Sequence, residues 1–281
     1  MQMAKVKTRF DSMGDRMKLY EMREAGYKLM PGLPVLVRLD GRSFHTFTRG
    51  LKRPFDMELR AAMDETAKYL VQETHASVAY TQSDEISLAF PNLDTDGQMM
   101  FDARLQKLCS ILAAMATAKF NQEIMRRIPS HAHKLPLFDA RVWQVPNLEL
   151  ALEAFVWREA DATKNSITMY ASAFYSHKEL HKKSSRDKHE MLHAKGVNWN
   201  DLDPALKRGV YFRRENVTKE LTPQELARIP VKHRPTGPVV RSEIRAIDMP
   251  PITQVINAKE VLFFGASPVK APAVVAIAEV A

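Results

Sequence analysis

Two acidic turns carry the chemistry legible in this 281-residue chain: Asp40-Gly41-Arg42, and Asp84-Glu85 44 positions further on. Asp40 closes the apolar run Leu33–Leu39, and Asp84-Glu85 stands between Tyr80 and the alternating Ile86, Leu88 and Phe90. Carboxylates at the ends of buried strands hold hard cations, and Mg²⁺ needs only one or two of them when substrate phosphates and water complete its octahedron. Two such ions, about 3.5–4 Å apart, activate an attacking hydroxyl and stabilise a leaving pyrophosphate. Asp40 and Asp84 suit bridging roles, the Gly41 carbonyl offers a further oxygen, and the amides of Arg42, Ser43, Phe44 and His45 can cradle a triphosphate. Either turn alone reads better as an Asp capping backbone N–H groups. Paired in a strand–helix–hairpin order, they describe a palm-type nucleotidyl-transfer site.

The elements that must position these groups follow from periodicity. A helix is expected over Asp15–Gly26, then a strand over Val35–Leu39 and a basic loop, Ser43–Pro54, able to cover a nucleoside triphosphate. Leu59, Met63, Ala67, Leu70 and Val71 stripe a helix over Asp56–Glu73, and Ala76–Tyr80 with Ile86–Phe90 form a hairpin. Asn92–Gln98 reads as a turn lacking the ligand series of a calcium loop. Met100–Ile128 is the longest helical pattern; Arg104 and Lys107 fall off its apolar stripe, free for phosphates or for solvent. A strand over Leu137–Gln144 and a helix over Leu148–Ala171 capped by Asn147 follow, and Ser176–Lys195 collects Lys182, Lys183, Arg186 and Lys188 as an RNA-facing surface. Strands are expected at Val210–Arg214, Val239–Ile247 and Val261–Phe264.

The expected class is therefore α+β: a polymerase-palm-like antiparallel sheet with flanking helices, a helical basic region and an irregular C-terminal extension. Residues 1–145 form the catalytic core, and residues 146–281 pack with it as the RNA-facing region. Forty-one Lys and Arg against 33 Asp and Glu give a formal charge of +8, favouring polyanionic partners. The single Cys109, on an apolar stripe, excludes an intramolecular disulfide and a Cys-rich zinc module. His131-x-His133 lacks the further ligands of a zinc site. The N-terminal residues lack an apolar signal core, and no apolar run reaches the roughly 20 residues that span a bilayer. A cytoplasmic protein is expected. P-loop, dinucleotide-turn and nucleophile-elbow signatures are missing.

Four ordered segments add a resemblance: Arg38-Leu39-Asp40-Gly41-Arg42-Ser43-Phe44-His45, Tyr80-Thr81-Gln82-Ser83-Asp84-Glu85, Phe138-Asp139-Ala140-Arg141-Val142 and Trp157-Arg158-Glu159-Ala160-Asp161. With Asp187–Leu192 they resemble the tRNA-histidine guanylyltransferase family, from about Asp11 to Gly209. The resemblance implies a palm run in the 3′→5′ direction, adding nucleotides to the 5′ end of tRNA with two Mg²⁺ ions and with ATP and GTP as substrates. It implies metal binding by Asp40, Gly41 and Asp84, support from Glu85, and nucleotide binding by Asp40–His45, Ser83, Asp84, Arg53 and Lys107. It also implies RNA contacts and assembly as a dimer of dimers. Enzymes dedicated to histidine tRNA carry His-Ile-Asn-Asn where this chain has Thr163-Lys164-Asn165-Ser166. That departure resembles the guanylyltransferase-like branch, associated with template-dependent repair of truncated 5′ ends, and puts Lys164 and Asn165 among the RNA-facing residues. Guanylate addition strictly to histidine tRNA, a palm-type cyclase or forward polymerase, and a non-catalytic RNA-binding module are the alternatives.

Overall fold

The computed structural model describes residues 9–91 and 99–272; the turn expected at Asn92–Gln98 lies outside them. Helix α1 (Arg9–Ala25) precedes strand β1 (Val35–Gly41), the four-residue helix α2 (Phe44–Phe47) and helix α3 (Met57–Thr74). The hairpin β2 (Val78–Gln82) and β3 (Glu85–Phe90) leads to α4 (Leu105–Arg127), β4 (Phe138–Gln144) and α5 (Leu148–Ala171). Short helices α6 (His177–Leu180), α7 (Ser185–Ala194) and α8 (Pro204–Arg208) follow, then β5 (Val210–Lys219), α9 (Pro223–Ala227), β6 (Val239–Ala246) and α10 (Ala258–Phe264). Among the described residues the strands form one antiparallel sheet of six, in the order β4-β1-β3-β2-β5-β6. The mixed helix-and-strand class expected from the sequence is the one observed. No described helix is long and apolar enough to cross a membrane.

Both faces of the sheet are covered, so β1 is apolar at successive positions rather than strictly alternating. Val35, Val37 and Leu39 pack with Ile86, Leu88 and the buried faces of α3 and α4. Leu36 points the other way, into a cluster with Val78, Ala89, Phe155 and α10. The two-residue period puts Arg38 and Asp40 on that second face too, beyond the end of its apolar cover. Helix starts are set by side-chain caps: Asp56 accepts from the amides of Glu58 and Leu59, and Asn147 from Leu150.

Several expectations are corrected. The long helix begins at Leu105; Met100–Ala103 form a separate 3₁₀ turn in which Phe101, Asp102 and Ala103 take positive φ, and Asp102 pairs with Lys28. Helix α5, at 24 residues, is one residue longer than α4. The first helix starts at Arg9, ahead of Asp15. The loop Ser43–Pro54 contains a helix, and the basic Ser176–Lys195 region is two helices split at His181–Ser184. Val261–Phe264 belongs to α10 instead of a strand: Val261 and Leu262 are buried against α5 and Phe264 turns to solvent, a helical division of a run too short for periodicity to assign. The strands of the C-terminal extension join the β2 edge of the sheet.

Candidate active site

The ends of β1 and of the β2–β3 hairpin meet. Asp40 lies opposite Glu85 on β3 and opposite Asp139 on β4, and the Gly41 amide donates to the Asp84 carbonyl at 3.0 Å. Ser83, at the hairpin tip, takes φ 49° and hydrogen-bonds the Asp84 carboxylate. Burial pushes the Asp84 carboxyl up, and the neighbouring charge of Asp40 pushes in the same direction while Ser83 opposes it. A cation would relieve that repulsion. Asp40, Asp84 and a backbone carbonyl are hard oxygen donors of the type Mg²⁺ takes, so the residues fit the ion the resemblance implies. Among the described residues no three His, Cys, Asp or Glu side chains converge as a ready-made cage. A cation here would depend on phosphate and water for its remaining ligands.

Glu85 has another partner. Arg158 of α5 donates from Nε to one carboxylate oxygen at 2.6 Å and from Nη2 to the other at 2.7 Å. Nη2 also reaches Asp161 at 3.1 Å, and Asn165 donates to the same Asp161 oxygen at 3.1 Å. Burial raises the Glu85 carboxyl, while Arg158 and then Arg38 hold it down. With both oxygens engaged, Glu85 braces the hairpin tip rather than facing a metal.

Gly41 is required by its own turn. A Cβ there would fall 2.4 Å from Cδ2 of Phe44, whose ring is locked among Phe47, Phe120 and Phe138 at centroid separations of 5.1, 5.4 and 5.2 Å. The close neighbour that a side chain at Gly41 would meet is thus the Phe44 ring. The Arg42 amide is spent on the Leu137 carbonyl at 2.8 Å, so it leaves the proposed cradle. The amides of Ser43, Phe44 and His45 remain at the start of α2, whose first turn leaves its N–H groups without helical acceptors.

A cavity of about 630 Å³ opens from the carboxylates. Asp40, His45, Arg53, Ser83, Asp84, Glu85 and Asn165 all line it. Its far side is built by α3, α5 and α8, with Arg60, Asp64 and Lys207 on the wall. Sequence reasoning missed these three and Arg158. The signal for the first two was present: Arg60 and Asp64 interrupt the apolar stripe of α3 at helical spacing, 3.6 Å apart. Gly209 closes the cavity near β2; it has φ +81° and comes so close that a Cβ would lie 2.5 Å from the Thr81 carbonyl oxygen.

Lys107 is not brought to the carboxylates. Helix α4 runs along β4 with Thr117 bonded to the Phe138 amide at 3.0 Å and Cys109 beside Val142. Lys107 therefore stands, exposed, at the opposite end of the sheet from Asp40. Lys164, Lys182, Lys183 and Arg186 are exposed, whereas Lys188 is tied to Thr168 on α5 at 2.9 Å.

Behind the site, Glu159 is buried and accepts from Tyr211 of β5 and from the Ile252 amide, both at 2.8 Å. Tyr80 donates to the Arg208 carbonyl. These bonds fasten the C-terminal segment to α5 and β2.

Residues 14–146 match the family model described as tRNAHis guanylyltransferase. The chain is similar to the tRNA(His) guanylyltransferase of Schizosaccharomyces pombe, 26% identical over 70% of this chain and 80% of that one. Its fold is similar to a bacterial tRNA(His) guanylyltransferase (Thg1)-like protein solved in complexes with ATP and with GTP, with TM-scores of 0.72 and 0.69. That likeness spans 86% of this chain and 94% of the other at 37% identity. With the acidic turns and their cavity in the same chain, this extent of agreement shows that the protein belongs to the tRNA(His) guanylyltransferase family of nucleotidyltransferases.

Proposed function

We propose that the protein is a Mg²⁺-dependent 3′→5′ nucleotidyltransferase that adds nucleotides to the 5′ end of tRNA, most simply in template-dependent repair of truncated ends. The observation that carries this reading is the juxtaposition of Asp40 and Asp84 at the mouth of a cavity of about 630 Å³ lined by cationic and polar side chains. Asp40, the Gly41 carbonyl and Asp84 would hold two Mg²⁺ ions, which supply Lewis-acid activation of a hydroxyl and neutralise phosphate charge.

The protein's own groups bind and orient. The amides of Ser43, Phe44 and His45, with the side chains of Ser83 and Arg53, take the triphosphate of ATP or GTP. Arg158 fixes Glu85 so that the hairpin tip keeps Asp84 facing Asp40. The 5′-monophosphate attacks the α-phosphorus of ATP and releases pyrophosphate, and the 3′-hydroxyl of an incoming nucleotide then attacks the adenylylated 5′ phosphate and displaces AMP. Lys164, Asn165, Lys182, Lys183 and Arg186 supply phosphate contacts to the tRNA, and Lys188 holds α7, which carries Arg186, on α5. Residues 1–145 carry the catalytic core and residues 146–281 the tRNA-facing part. Assembly as a dimer of dimers belongs to the same reading, and places Lys107 on a surface available to another subunit. The replacement of the His-Ile-Asn-Asn block by Thr163-Lys164-Asn165-Ser166 favours repair over strict addition to histidine tRNA.

The test is incubation of 5′-monophosphorylated tRNAs, full-length histidine tRNA and 5′-truncated species, with ATP, labelled GTP and Mg²⁺. Nuclease mapping should place label at the 5′ end and favour the truncated species. Label at the 3′ end, or a cyclic nucleotide, would overturn the reading.

A further inference from the structure

The far wall of the cavity carries two charged side chains that the proposed reaction leaves without a role. Arg60 and Asp64, one turn apart on α3, both line it. Their ion pair is incomplete. Arg60 Nε stands 3.6 Å from Asp64 Oδ2, beyond hydrogen-bonding reach, and Nη1 stands 4.0 Å from Oδ1 of Asp203, the cap of α8. The Nε atom is buried without a hydrogen-bond partner. Burial pushes the Asp64 carboxyl up, even with Arg60 and then Lys68 drawing it down. A partly buried charge pair that falls short of its own hydrogen bonds is destabilising, and a ligand bridging the two would supply them.

The neighbouring cations are occupied elsewhere. Arg158 holds Glu85, and Lys207 donates to the Asn200 carbonyl at 2.6 Å and lies over the Trp199 ring. Around Arg60 and Asp64 the lining turns apolar: Leu59 and Met63 on α3, Ala162 on α5, Leu206 on α8 and Val210 at the start of β5. Apolar walls enclosing one donor–acceptor pair suit a planar heterocycle, its faces against the side chains and one polar edge on the pair. The edge that fits best is guanine's. Its O6 accepts from Arg60, while its N1–H and N2–H₂ both donate to Asp64 and fill two lone pairs of one carboxylate. Adenine can place only its N6–H₂ there, and the hypoxanthine of ITP only its N1–H.

We propose that Arg60 and Asp64 read the guanine of a nucleoside triphosphate held in this cavity, and so determine specificity for the incoming nucleotide. The proposal rests on the reading of the cavity as the triphosphate site. It adds a preference carried by the protein itself, acting before base pairing with an RNA template chooses among nucleotides.

Equilibrium dialysis of the full chain with GTP, ITP and ATP, in Mg²⁺ and without RNA, tests it on wild type, Asp64→Asn and Arg60→Gln. Dissociation constants are compared as ratios between nucleotides, so that any change in phosphate affinity cancels. Wild type should bind GTP about tenfold more tightly than ITP, the effect of one charge-assisted hydrogen bond from the N2 amine. It should favour GTP over ATP by at least as much. Asp64→Asn keeps the side chain's shape but not its two acceptor oxygens, and should bring the GTP/ITP ratio close to one. Arg60→Gln should weaken GTP and ITP together, through their shared O6, and leave that ratio as in wild type. The wild-type ratio needs no variant, so the test survives a substitution that fails to fold. Equal binding of GTP and ITP by wild type overturns the proposal while the transfer reading stands, and so does an Asp64→Asn variant that keeps the wild-type ratio. Failure to bind any of the three nucleotides would overturn both.

Discussion

Arg158 grips Glu85 through two parallel hydrogen bonds of 2.6 and 2.7 Å, joining helix α5 to the first residue of β3 directly behind Asp84. Both side chains are nearly sealed from solvent, at 11% and 7% exposure. The geometry demands a planar fork, which lysine lacks. It also converts Glu85 from the third acid of a cluster into the brace of the other two.

Arg158→Ala should therefore cost about 3–5 kcal/mol of stability, because it strands a buried carboxylate. Arg158→Lys should recover part of that stability yet leave transfer well below wild type, since one ammonium cannot hold both oxygens. Denaturant melts with steady-state rates on the same preparations check both.

Gly41→Ala places a methyl carbon against the Phe44 ring, which its aromatic neighbours hold in place. Overpacking of this kind costs about 1–3 kcal/mol. Activity should fall further than stability, as the strand end carrying Asp40 must shift. Thermal melting and metal titration of the variant would show the two effects separately.

Glu123 of α4 sets an acid limit. Burial alone would raise its carboxyl, but Lys119 at 2.6 Å, Arg126 at 2.7 Å and Arg127 at 3.1 Å hold it at about 2, below its ordinary 4.5. The folded protein thus binds this proton less readily than the unfolded chain, and the stabilisation is complete above pH 4.5. It should drain away as the pH falls from there toward about 2. Glu123→Gln should be less stable than wild type at pH 7 and show a shallower loss across that acid window, measured by urea melts at stepped pH.

The acidic turns were legible because local chemistry dictates them: an apolar run, then Asp-Gly, and a hairpin whose tip is Ser-Asp. Caps at Asp56 and Asn147 were legible for the same reason. The Arg158–Glu85 grip was not, since it depends on how α5 crosses the sheet, and their 73-residue separation leaves no local pattern. Lys107 shows the converse. Its place on a polar helix face was readable, but which end of the sheet α4 begins at was fixed by tertiary contacts such as the Leu105 amide on the Tyr27 carbonyl. The segment Val261–Phe264 was too short for periodicity, and its burial against α5 decided for helix. Arg42 was assigned a free amide because its acceptor, Leu137, is 95 residues away in sequence.

The central claim is that Asp40 and Asp84 jointly carry transfer to an RNA 5′ end. Its most direct measurement is the single-turnover rate of labelled GTP incorporation into a 5′-activated RNA, in Mg²⁺, for wild type, Asp40→Asn and Asp84→Asn. Both variants should fall by at least about 10³-fold while melting normally and retaining RNA, as expected when an electrostatic anchor of the transition state is removed. A variant that keeps a wild-type rate, or a wild-type rate without divalent metal, would contradict the account.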